Sequence, residues 1–403
     1  MRSGRRAWVL ALLLSVSGAA SAQLGLPRVL GRVDGALATL TRAPGDIVRD
    51  ATALASGRVD RLDAFIEAHP GLIERDDAGQ PARAHEVLLL DPDAAALAGA
   101  QAAGFRLIET GDIGGLGIAY ARLSTPPHMR LAAAVHALRR IAPGKEVTAD
   151  QIHFASGGAA APAAPGAPAE APMPHGGTVG IIDGGVTGAA RVAAQAGFAN
   201  GAPRPDPHAQ AIVSLLAGAG TARIDVADVY GTDPAGGGAL AIARALGWMA
   251  ARDVPVVSIS LVGPANPLLA RAIAAVQAKG VIVTAAVGND GPAAPPAYPA
   301  SYPGVVAVTG VDRHGRVLIE AGRASHLDYA APGADMTVPD HDGRRRQLRG
   351  TSFAAPLVAA RLAALGGMGV TAATRLARAD AEAEGRSART GRGVLCDTCR
   401  TGI

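Results

Sequence analysis

Short apolar runs alternate with longer amphipathic stretches over the second half of the chain, from residue 177 onward. Mainly apolar runs, with apolar residues on both faces, predict strands buried on both faces, and they fall at 178–182, 224–229, 256–261, 281–287 and 305–309. Helical periodicity separates these runs at 209–216, 240–251, 267–279 and 352–365. Strands that alternate with helices in this way predict an α/β fold with a doubly wound, mostly parallel sheet.

A different order of elements precedes this domain, within residues 85–155. The pattern predicts strands at 86–90, 105–110, 116–123 and 147–154, with helices at 93–103 and 128–141. The resulting order β-α-β-β-α-β is that of a small ferredoxin-like α+β domain. Before it, residues 23–84 show loose helical periodicity, for example at 29–40 and 59–66, and are interpreted as a helical spacer of unknown role.

Two segments of biased composition set the remaining boundaries. Residues 156–176 consist almost wholly of Ala, Pro and Gly, and Pro at this density disfavours regular strand pairing, so we predict a linker. Residues 1–22 combine early arginines, an apolar stretch and a small-residue exit, which is the pattern of a secretory signal peptide. An uncleaved membrane anchor is the alternative, although the apolar stretch is shorter than the span of about 20 residues that a bilayer requires. The α/β domain then occupies 177–366 and a C-terminal tail occupies 367–403.

The charge distribution narrows the range of partners. The 403 residues carry a formal net charge of +4, and the basic residues are scattered except for Arg344, Arg345, Arg346 and Arg349. Nucleic-acid binding requires a dense basic face with aromatic residues for stacking, and aromatic residues make up only 3% of the chain. We therefore expect no nucleic-acid partner. The arginine cluster is interpreted as a solvated loop, with steering of acidic substrates or a processing site as alternatives.

The two cysteines, Cys396 and Cys399, lie close together near the end of the chain. In an exported protein, which meets an oxidising compartment, this spacing favours a small local disulfide. A thioredoxin-like site would need a strand before the motif and a helix after it, and a zinc site would need two further ligands.

Four polar residues of the α/β domain stand where predicted strands end or predicted helices begin. Asp183 follows the strand at 178–182, at the edge where parallel sheets bind ligands. His208 begins a helix, where one imidazole nitrogen can face a carboxylate and the other a nucleophile. Ser352 begins another helix, whose N–H groups favour a developing oxyanion. Asn289 ends a strand and can supply a further side-chain donor.

Each of these residues also has a purely structural interpretation. Asp183 or Ser352 can cap a helix or turn, His208 can be a surface histidine, and Asn289 can be a turn residue. Together, however, they supply an acid, a base, a nucleophile and an oxyanion donor. Their chain order, Asp then His then Ser, is one of the known orders of a catalytic triad.

The segments around these residues resemble the subtilisin-like serine peptidases over residues 177 to about 366. The resemblance is carried by the segments at 179–184, 208–218, 285–292 and 350–356. It implies that Ser352 attacks the peptide carbonyl, that His208 relays the proton and that Asp183 orients His208. It also implies that Asn289 stabilises the tetrahedral oxyanion.

The stretch 258–263 is similar to the strand with which this family pairs an extended substrate, and 286–288 is similar to the opposite wall of the specificity pocket. The substrate contacts that this resemblance implies are Ser258, Ser260, Leu261, Gly263, Ala286 and Gly288.

The domain at 85–155 is similar, in element order and position, to the inhibitory propeptides of this family. Such propeptides assist folding, and their C-terminal end occupies the active site until it is cleaved. The resemblance implies a self-processing zymogen whose partners are peptide substrates and its own propeptide-like domain. The signal-peptide pattern at 1–22 predicts that the protein is secreted or periplasmic. No cofactor and no stable membrane span are expected.

Two departures from the family pattern bear on this interpretation. Ala209 and Gln210 follow His208 where the family usually has Gly and Thr, which affects the start of that helix. The short spacing between Asp183 and His208 leaves little room for calcium-binding loops, so no metal is expected. The alternative function is a catalytically silent module that still binds extended peptides.

Overall fold

The computed structural model describes residues 44–156, 161–162, 176–188, 191–339, 344–367, 369–396 and 399, with side chains from residue 53 onward except at 161–162. The signal peptide predicted at 1–22, the helical periodicity at 29–40 and most of the linker predicted at 156–176 lie outside these residues. Within the described part of the chain, no helix is both long enough and apolar enough to cross a membrane.

The small domain is an antiparallel sheet with helices on one face. Its elements are α1 (Pro44–Ala68), β1 (Ile73–Arg75), β2 (Pro81–Leu90), α2 (Ala94–Ala102), β3 (Arg106–Asp112), β4 (Ala119–Ser124), α3 (Leu131–Ile141) and β5 (Val147–Gln151). Strand β2 lies between β4 and β5, and β3 pairs with the outer edge of β4. The spatial order β5-β2-β4-β3 is ferredoxin-like, as the sequence predicts.

The boundary predicted between residues 84 and 85 is wrong. The short strand β1 pairs with residues 81–83 at the start of β2, so the small sheet begins at Ile73 within the stretch interpreted as a helical spacer. Only the part of the spacer within α1 is helical among its described residues. Strand β1 has a single apolar residue, Ile73, so it does not form an apolar run in the sequence. Ile73 packs against Ile152.

The large domain follows two short strands, β6 (Phe154–Ala155) and β7 (Ala161–Pro162). The strands of this domain are β8 (Thr178–Asp183), β9 (Val192–Gly197), β10 (Arg223–Asp228), β11 (Val256–Ile259), β12 (Leu261–Val262), β13 (Ile282–Ala286), β14 (Val306–Val311), β15 (Tyr329–Pro332), β16 (Met336–Pro339) and β17 (Arg345–Leu348). The helices of this domain are α4 (Pro207–Gly218), α5 (Ala239–Ala251), α6 (Pro267–Ala278), α7 (Thr351–Ala364) and α8 (Ala372–Glu382). Seven of the strands form a parallel sheet of order β15-β14-β13-β11-β8-β10-β9.

Helices cover both faces of the parallel sheet, which explains the continuous apolar runs of its strands. The buried core on one face includes residues of α4, α7 and α8, and the core on the other face includes residues of α5 and α6. Every residue of β11, β13 and β14 is buried. The predicted doubly wound architecture is therefore confirmed.

The C-terminal segment predicted as a tail is part of this domain. Ala379 of α8, Leu395 and Cys399 are buried in the core around α4 and α7. Val394 forms a bridge with Ala330 of β15, and the disulfide predicted between Cys396 and Cys399 is present. The amphipathic pattern of α8 is short and polar overall, so it does not stand out in the sequence.

The linker and the arginine cluster both contain a strand that was not predicted. Within the linker, β7 pairs with β17, and β17 includes Arg345 and Arg346. A two-residue strand at the edge of a sheet tolerates Pro162 because its missing N–H is not needed there. Arg349 forms an ion pair with Glu320, so this cluster is an ordered edge of the domain and not a solvated loop.

The sheet of the small domain packs against α5 and α6. Leu88 and Leu90 of β2 are buried with Leu246 and Leu269, while Val87 and Leu89 face the small domain's own helices. The strand therefore has apolar residues on both faces although it belongs to an antiparallel sheet. Polar contacts add to this interface. Among them, the Leu240 N–H at the start of α5 donates to Asp150 at 2.9 Å, and Asn266 Nδ2 donates to the Ala149 carbonyl at 3.1 Å.

Candidate active site

Asp183 is the last residue of β8, in the middle of the parallel sheet. Its side chain is 1% exposed, and the Gly184 N–H donates to its Oδ1 at 2.8 Å. A side chain at Gly184 would place its Cβ 2.4 Å from the Cβ of Asp206, so glycine is required where this loop meets α4. The carboxylate is thus fixed at the carboxyl end of the strand, as predicted from the sequence.

His208 stands in the first turn of α4. The side chain of Asp206 caps this helix by accepting the N–H groups of His208 at 2.8 Å and Ala209 at 3.1 Å, and Pro207 occupies the first turn. His208 Nδ1 lies 3.1 Å from each carboxylate oxygen of Asp183. Two acids therefore position His208: Asp206 holds its backbone N–H, and Asp183 contacts Nδ1 of its ring.

The two residues that depart from the family pattern fit this helix start. Ala209 is fully buried, and the Gln210 side-chain carbonyl accepts the Thr187 N–H at 3.2 Å. The helix is capped and closely packed, so the departure leaves the placement of His208 intact.

The surroundings of His208 change its acidity in opposing directions. Burial favours the neutral ring, whereas the Asp183 charge, the hydrogen bond to Asp183 and the Asp206 charge favour the imidazolium. The net effect is that the pKa of His208 is raised above the ordinary value of 6.5. The ring can accept a proton readily and is stabilised once it has done so.

Ser352 lies in the first turn of α7. Gly350, which precedes the helix, has φ of 142°, a conformation that favours glycine. Ser352 is fully buried. Its main-chain carbonyl accepts a hydrogen bond from the Ser260 hydroxyl at 2.8 Å. The ring of the next residue, Phe353, packs against the His208 ring with centroids 5.3 Å apart. These contacts bring the serine and the histidine to the same edge of the sheet.

Asn289 lies just beyond β13 and is tied to the start of α7. Its Oδ1 accepts the Thr351 N–H at 3.0 Å, and the Thr351 hydroxyl donates to the Gly288 carbonyl at 3.1 Å. Because the amide oxygen is used in this way, the Asn289 Nδ2 group remains available as a donor.

His208 Nε2, Ser352 Oγ and Asn289 Nδ2 are among the buried polar atoms that have no hydrogen-bond partner within the described part of the chain. Buried polar atoms are nearly always paired, because an unpaired one costs about 1–3 kcal/mol. An acceptor, a hydroxyl and a donor left unpaired together are suited to a reacting group that is bound among them.

A segment of the chain lies along the neighbouring strand. Residues of β6 pair antiparallel with β12, with Ala155 opposite Leu261 and Phe154 opposite Val262. Beyond this pair, the N–H and the hydroxyl of Ser156 both donate to the Ser260 carbonyl at 2.9 Å. The strand β12 therefore binds an extended peptide segment by its main chain.

The structure places the residues predicted to contact substrate in different surroundings. The backbones of Ser260 and Leu261 pair with the extended segment, and Gly263 and Gly288 line the adjoining cavity. Ser258 in β11 and Ala286 in β13 are buried and do not line this cavity, so their contacts with substrate stay predictions.

A metal site is a second arrangement that the side chains here allow. Ligand atoms of Asp183, Asp206 and His208 lie within 4.8 Å of one another. However, Asp206 already accepts two backbone N–H groups, and Asp183 accepts His208 Nδ1 and the Gly184 N–H. These hydrogen bonds account for the cluster, and we assign no metal to it.

Two residues beside the site were not singled out in the sequence. Asp206 could have been identified from the sequence, since Asp before Pro at a helix start is a typical N-cap. Asp290, next to Asn289, resembles an ordinary turn residue, and its importance appears only from contacts with α1.

Comparison with known proteins adds an independent line of evidence. A sequence model of the subtilase family matches residues 178–367. Subtilisin BL from Lederbergia lenta is 32% identical over 149 residues, which cover 36% of this chain and 54% of that protein. Proteinase T from Parengyodontium album is 34% identical over 104 residues, covering 26% of this chain and 36% of that protein. The chain thus spans about half or less of the length of these relatives.

The fold also has a relative among solved structures. Fervidolysin from Fervidobacterium pennivorans, described as a keratinolytic enzyme related to subtilisin, superposes with a TM-score of 0.65 at 15% identity. The match covers 79% of this chain and 61% of that one, a larger share of this chain than 178–367 alone. Residues 178–367 are therefore similar in sequence to the subtilase family, and the chain shares the fold of this solved structure.

Proposed function

We propose that this protein is a serine endopeptidase that cleaves peptide bonds through an acyl-enzyme formed on Ser352. The observation that carries the proposal is the pairing of Asp183 with His208 beside three unpaired buried atoms, His208 Nε2, Ser352 Oγ and Asn289 Nδ2. Together they provide the base, the nucleophile and the oxyanion donor that acyl transfer requires.

The steps follow from these positions. Ser352 Oγ attacks the peptide carbonyl carbon while His208 Nε2 takes the hydroxyl proton, and Asp183 stabilises the imidazolium that forms. The carbonyl oxygen becomes an oxyanion, which accepts hydrogen bonds from Asn289 Nδ2 and from the Ser352 N–H at the start of α7. His208 then gives its proton to the leaving amine. A water molecule, deprotonated by His208, hydrolyses the acyl-enzyme.

We further propose that the protein is made as a self-processing zymogen. Residues Phe154 to Ser156 occupy β12 as an added strand, and the Ser260 carbonyl accepts the Ser156 N–H while the Ser260 hydroxyl donates to the Ser352 carbonyl. A single residue, Ser260, thus connects the extended segment to the nucleophile. The bond presented for cleavage is the one between Ser156 and Gly157.

The small domain supports the same proposal. Its sheet covers α5 and α6 with apolar side chains, and Asp150 caps α5. These contacts hold the segment that leads to Ser156 in place, as an inhibitory propeptide requires. Export is proposed on the signal-peptide pattern at 1–22 and is consistent with the disulfide of Cys396 and Cys399.

The mature N-terminus tests this proposal. Intact mass and N-terminal sequencing of the purified wild-type protein should show a chain that begins at Gly157. The Ser352→Ala variant should keep residues 44–156 covalently attached. A Ser352→Ala chain that is still cut after Ser156 when purified from a protease-deficient host would contradict self-processing.

A further inference from the structure

Asp183 is followed by a loop, residues 184–188, that has glycine at three of its five positions. Glycine loses more conformational freedom on ordering than any other residue, so contacts outside the loop are needed to hold it in place. The Gly185 N–H donates to the Arg204 carbonyl at 3.0 Å, and the Gly185 carbonyl accepts the Asp206 N–H at 2.8 Å. These bonds attach the first half of the loop to the segment that leads into α4.

Two glutamine side chains hold the second half of the loop. The Val186 N–H donates to Gln195 Oε1 at 2.7 Å, and Gln195 Nε2 donates to the Val186 carbonyl at 3.2 Å. The Thr187 N–H donates to Gln210 Oε1 at 3.2 Å. Gln195 belongs to β9, whereas Gln210 belongs to α4. The loop is therefore attached both to an edge strand and to the helix that carries His208.

The bond between Thr187 and Gln210 joins the same two segments as the contact between Asp183 and His208. Thr187 lies four positions after Asp183, and Gln210 lies two positions after His208. The Asp183 carboxylate lies 3.1 Å from His208 Nδ1, longer than the roughly 2.7–2.9 Å that is typical of charge-assisted hydrogen bonds. A small displacement of the loop would weaken this contact, and a second attachment between the segments restricts that displacement.

This second attachment depends on a residue in which the chain departs from the family pattern. Gln210 occupies the position where subtilisin-like peptidases usually have Thr, two residues after the histidine. The Gln side chain ends in an amide whose oxygen accepts the Thr187 N–H. A Thr hydroxyl ends two bonds earlier along the side chain and would not reach Thr187 from this position.

We propose that Gln210 is a positioning residue, which fixes the loop after Asp183 to the helix of His208 and acts on the reaction through this acid–base pair. Neither Gln210 nor Thr187 lines the cavity beside β12, so the effect of Gln210 falls on kcat and not on KM. The inference rests on the proposed peptidase function and adds a residue to the machinery of the same site.

The test compares two substitutions of similar length in the processed enzyme. Gln210→Met removes the amide acceptor, and it should lower kcat by about fivefold with KM unchanged, the effect of losing one hydrogen bond. Gln210→Glu keeps an acceptor for the Thr187 N–H and should retain kcat within about twofold. The substrate is denatured, fluorescently labelled casein, and active serines are counted with a fluorophosphonate probe.

The pH dependence of kcat separates positioning from a merely structural role. The Asp183 and Asp206 charges both favour the imidazolium of His208, while the Phe353 ring that packs against it is uncharged. In Gln210→Met, the looser Asp183 contact should lower the pKa of His208, so the rising limb of kcat should move to lower pH. Gln210→Glu adds a negative charge, so its limb should stay at the wild-type pH or move to higher pH.

Gln277→Met is the matched control. Gln277 lies on α6, where its Nε2 donates to the Pro303 carbonyl at 3.2 Å, so this variant also loses one glutamine hydrogen bond. It should keep the wild-type kcat and the wild-type pH limb.

The outcomes distinguish this inference from the function on which it rests. An active wild type whose kcat and pH limb are unchanged in Gln210→Met would overturn the positioning role alone. Equal losses of kcat in Gln210→Met and Gln210→Glu, with the limb unmoved, would also overturn it. A folded, processed wild type that takes up no fluorophosphonate and cleaves no casein would overturn the proposed peptidase function instead.

Discussion

The acidity of His208 depends on two carboxylates, one beside its imidazole ring and one beside its backbone N–H. Asp183 contacts its ring and Asp206 caps its helix, and both charges raise the pKa of His208, although burial opposes them. In the proposed mechanism His208 is the base, and it is active only when its ring is neutral. Activity should therefore increase as pH rises through the raised pKa.

We expect kcat/KM of the processed enzyme to follow a single rising limb centred above pH 6.5. Asp206→Ser keeps an oxygen that caps α4 but removes the charge, so its limb should move to lower pH with little change in thermal stability. A pH profile of kcat/KM for both proteins checks this. A limb centred below 6.5 in the wild type, or an unmoved limb in Asp206→Ser, would contradict the electrostatic account.

Single residues were predictable where their chemistry and their position in a motif coincide. Asp183, His208, Asn289 and Ser352 each stand at a strand end or a helix start, and the structure brings all four to one edge of the sheet. Asp290 was not predictable, because its partners lie more than 200 positions away on α1.

At the scale of elements, the pairing of β6 with β12 places the bond proposed for cleavage. Its last hydrogen bonds are those from Ser156 to the Ser260 carbonyl. The N–H of Ser156 fixes the backbone, whereas its hydroxyl adds a second hydrogen bond to the same Ser260 carbonyl. Backbone and side chain can therefore be tested apart.

Ser156→Pro removes the N–H, and we expect it to slow self-processing by at least about tenfold, since one hydrogen bond contributes about 1 kcal/mol and the ring further restricts the strand. Ser156→Ala retains the N–H and should process within about threefold of the wild type. Time courses of chain length after purification measure both rates. Equal rates for the Pro and Ala variants would show that β6 does not present this bond.

Elements were predictable where one pattern dominates. The central strands and four large helices follow apolar runs and helical periodicity. The strands β9 and β15 were missed for different reasons: β9 alternates between half-buried and exposed residues at the edge of the sheet, and β15 ends at Pro332. The strand β17 was missed because charged residues at a sheet edge are indistinguishable from a solvated loop.

For the whole molecule, the C-terminal segment is part of the folding unit. Leu395 is 1% exposed and packs in the same core as α4 and α7. Composition alone does not reveal this, because the apolar residues of the segment are few and spaced apart, and only the tertiary contacts identify them as core.

Leu395→Ala should lower the free energy of unfolding by about 2–5 kcal/mol, the usual cost of a cavity in a packed core. Leu107→Ala is a matched control, since Leu107 is 54% exposed and should change stability by less than about 0.5 kcal/mol. Both are compared in the Ser352→Ala background, to prevent self-digestion, by denaturant unfolding. A cost below about 1 kcal/mol for Leu395→Ala would mean that the segment is not an integral part of the core.

The most direct test of the whole account is covalent labelling of Ser352. Purified, processed wild-type protein is treated with a fluorophosphonate probe, and its intact mass is compared with that of Ser352→Ala treated in the same way. The account predicts one adduct per wild-type chain, located on Ser352, and none on the variant. Folded, processed wild-type protein that takes up no adduct would contradict an activated serine and would favour a silent peptide-binding module instead.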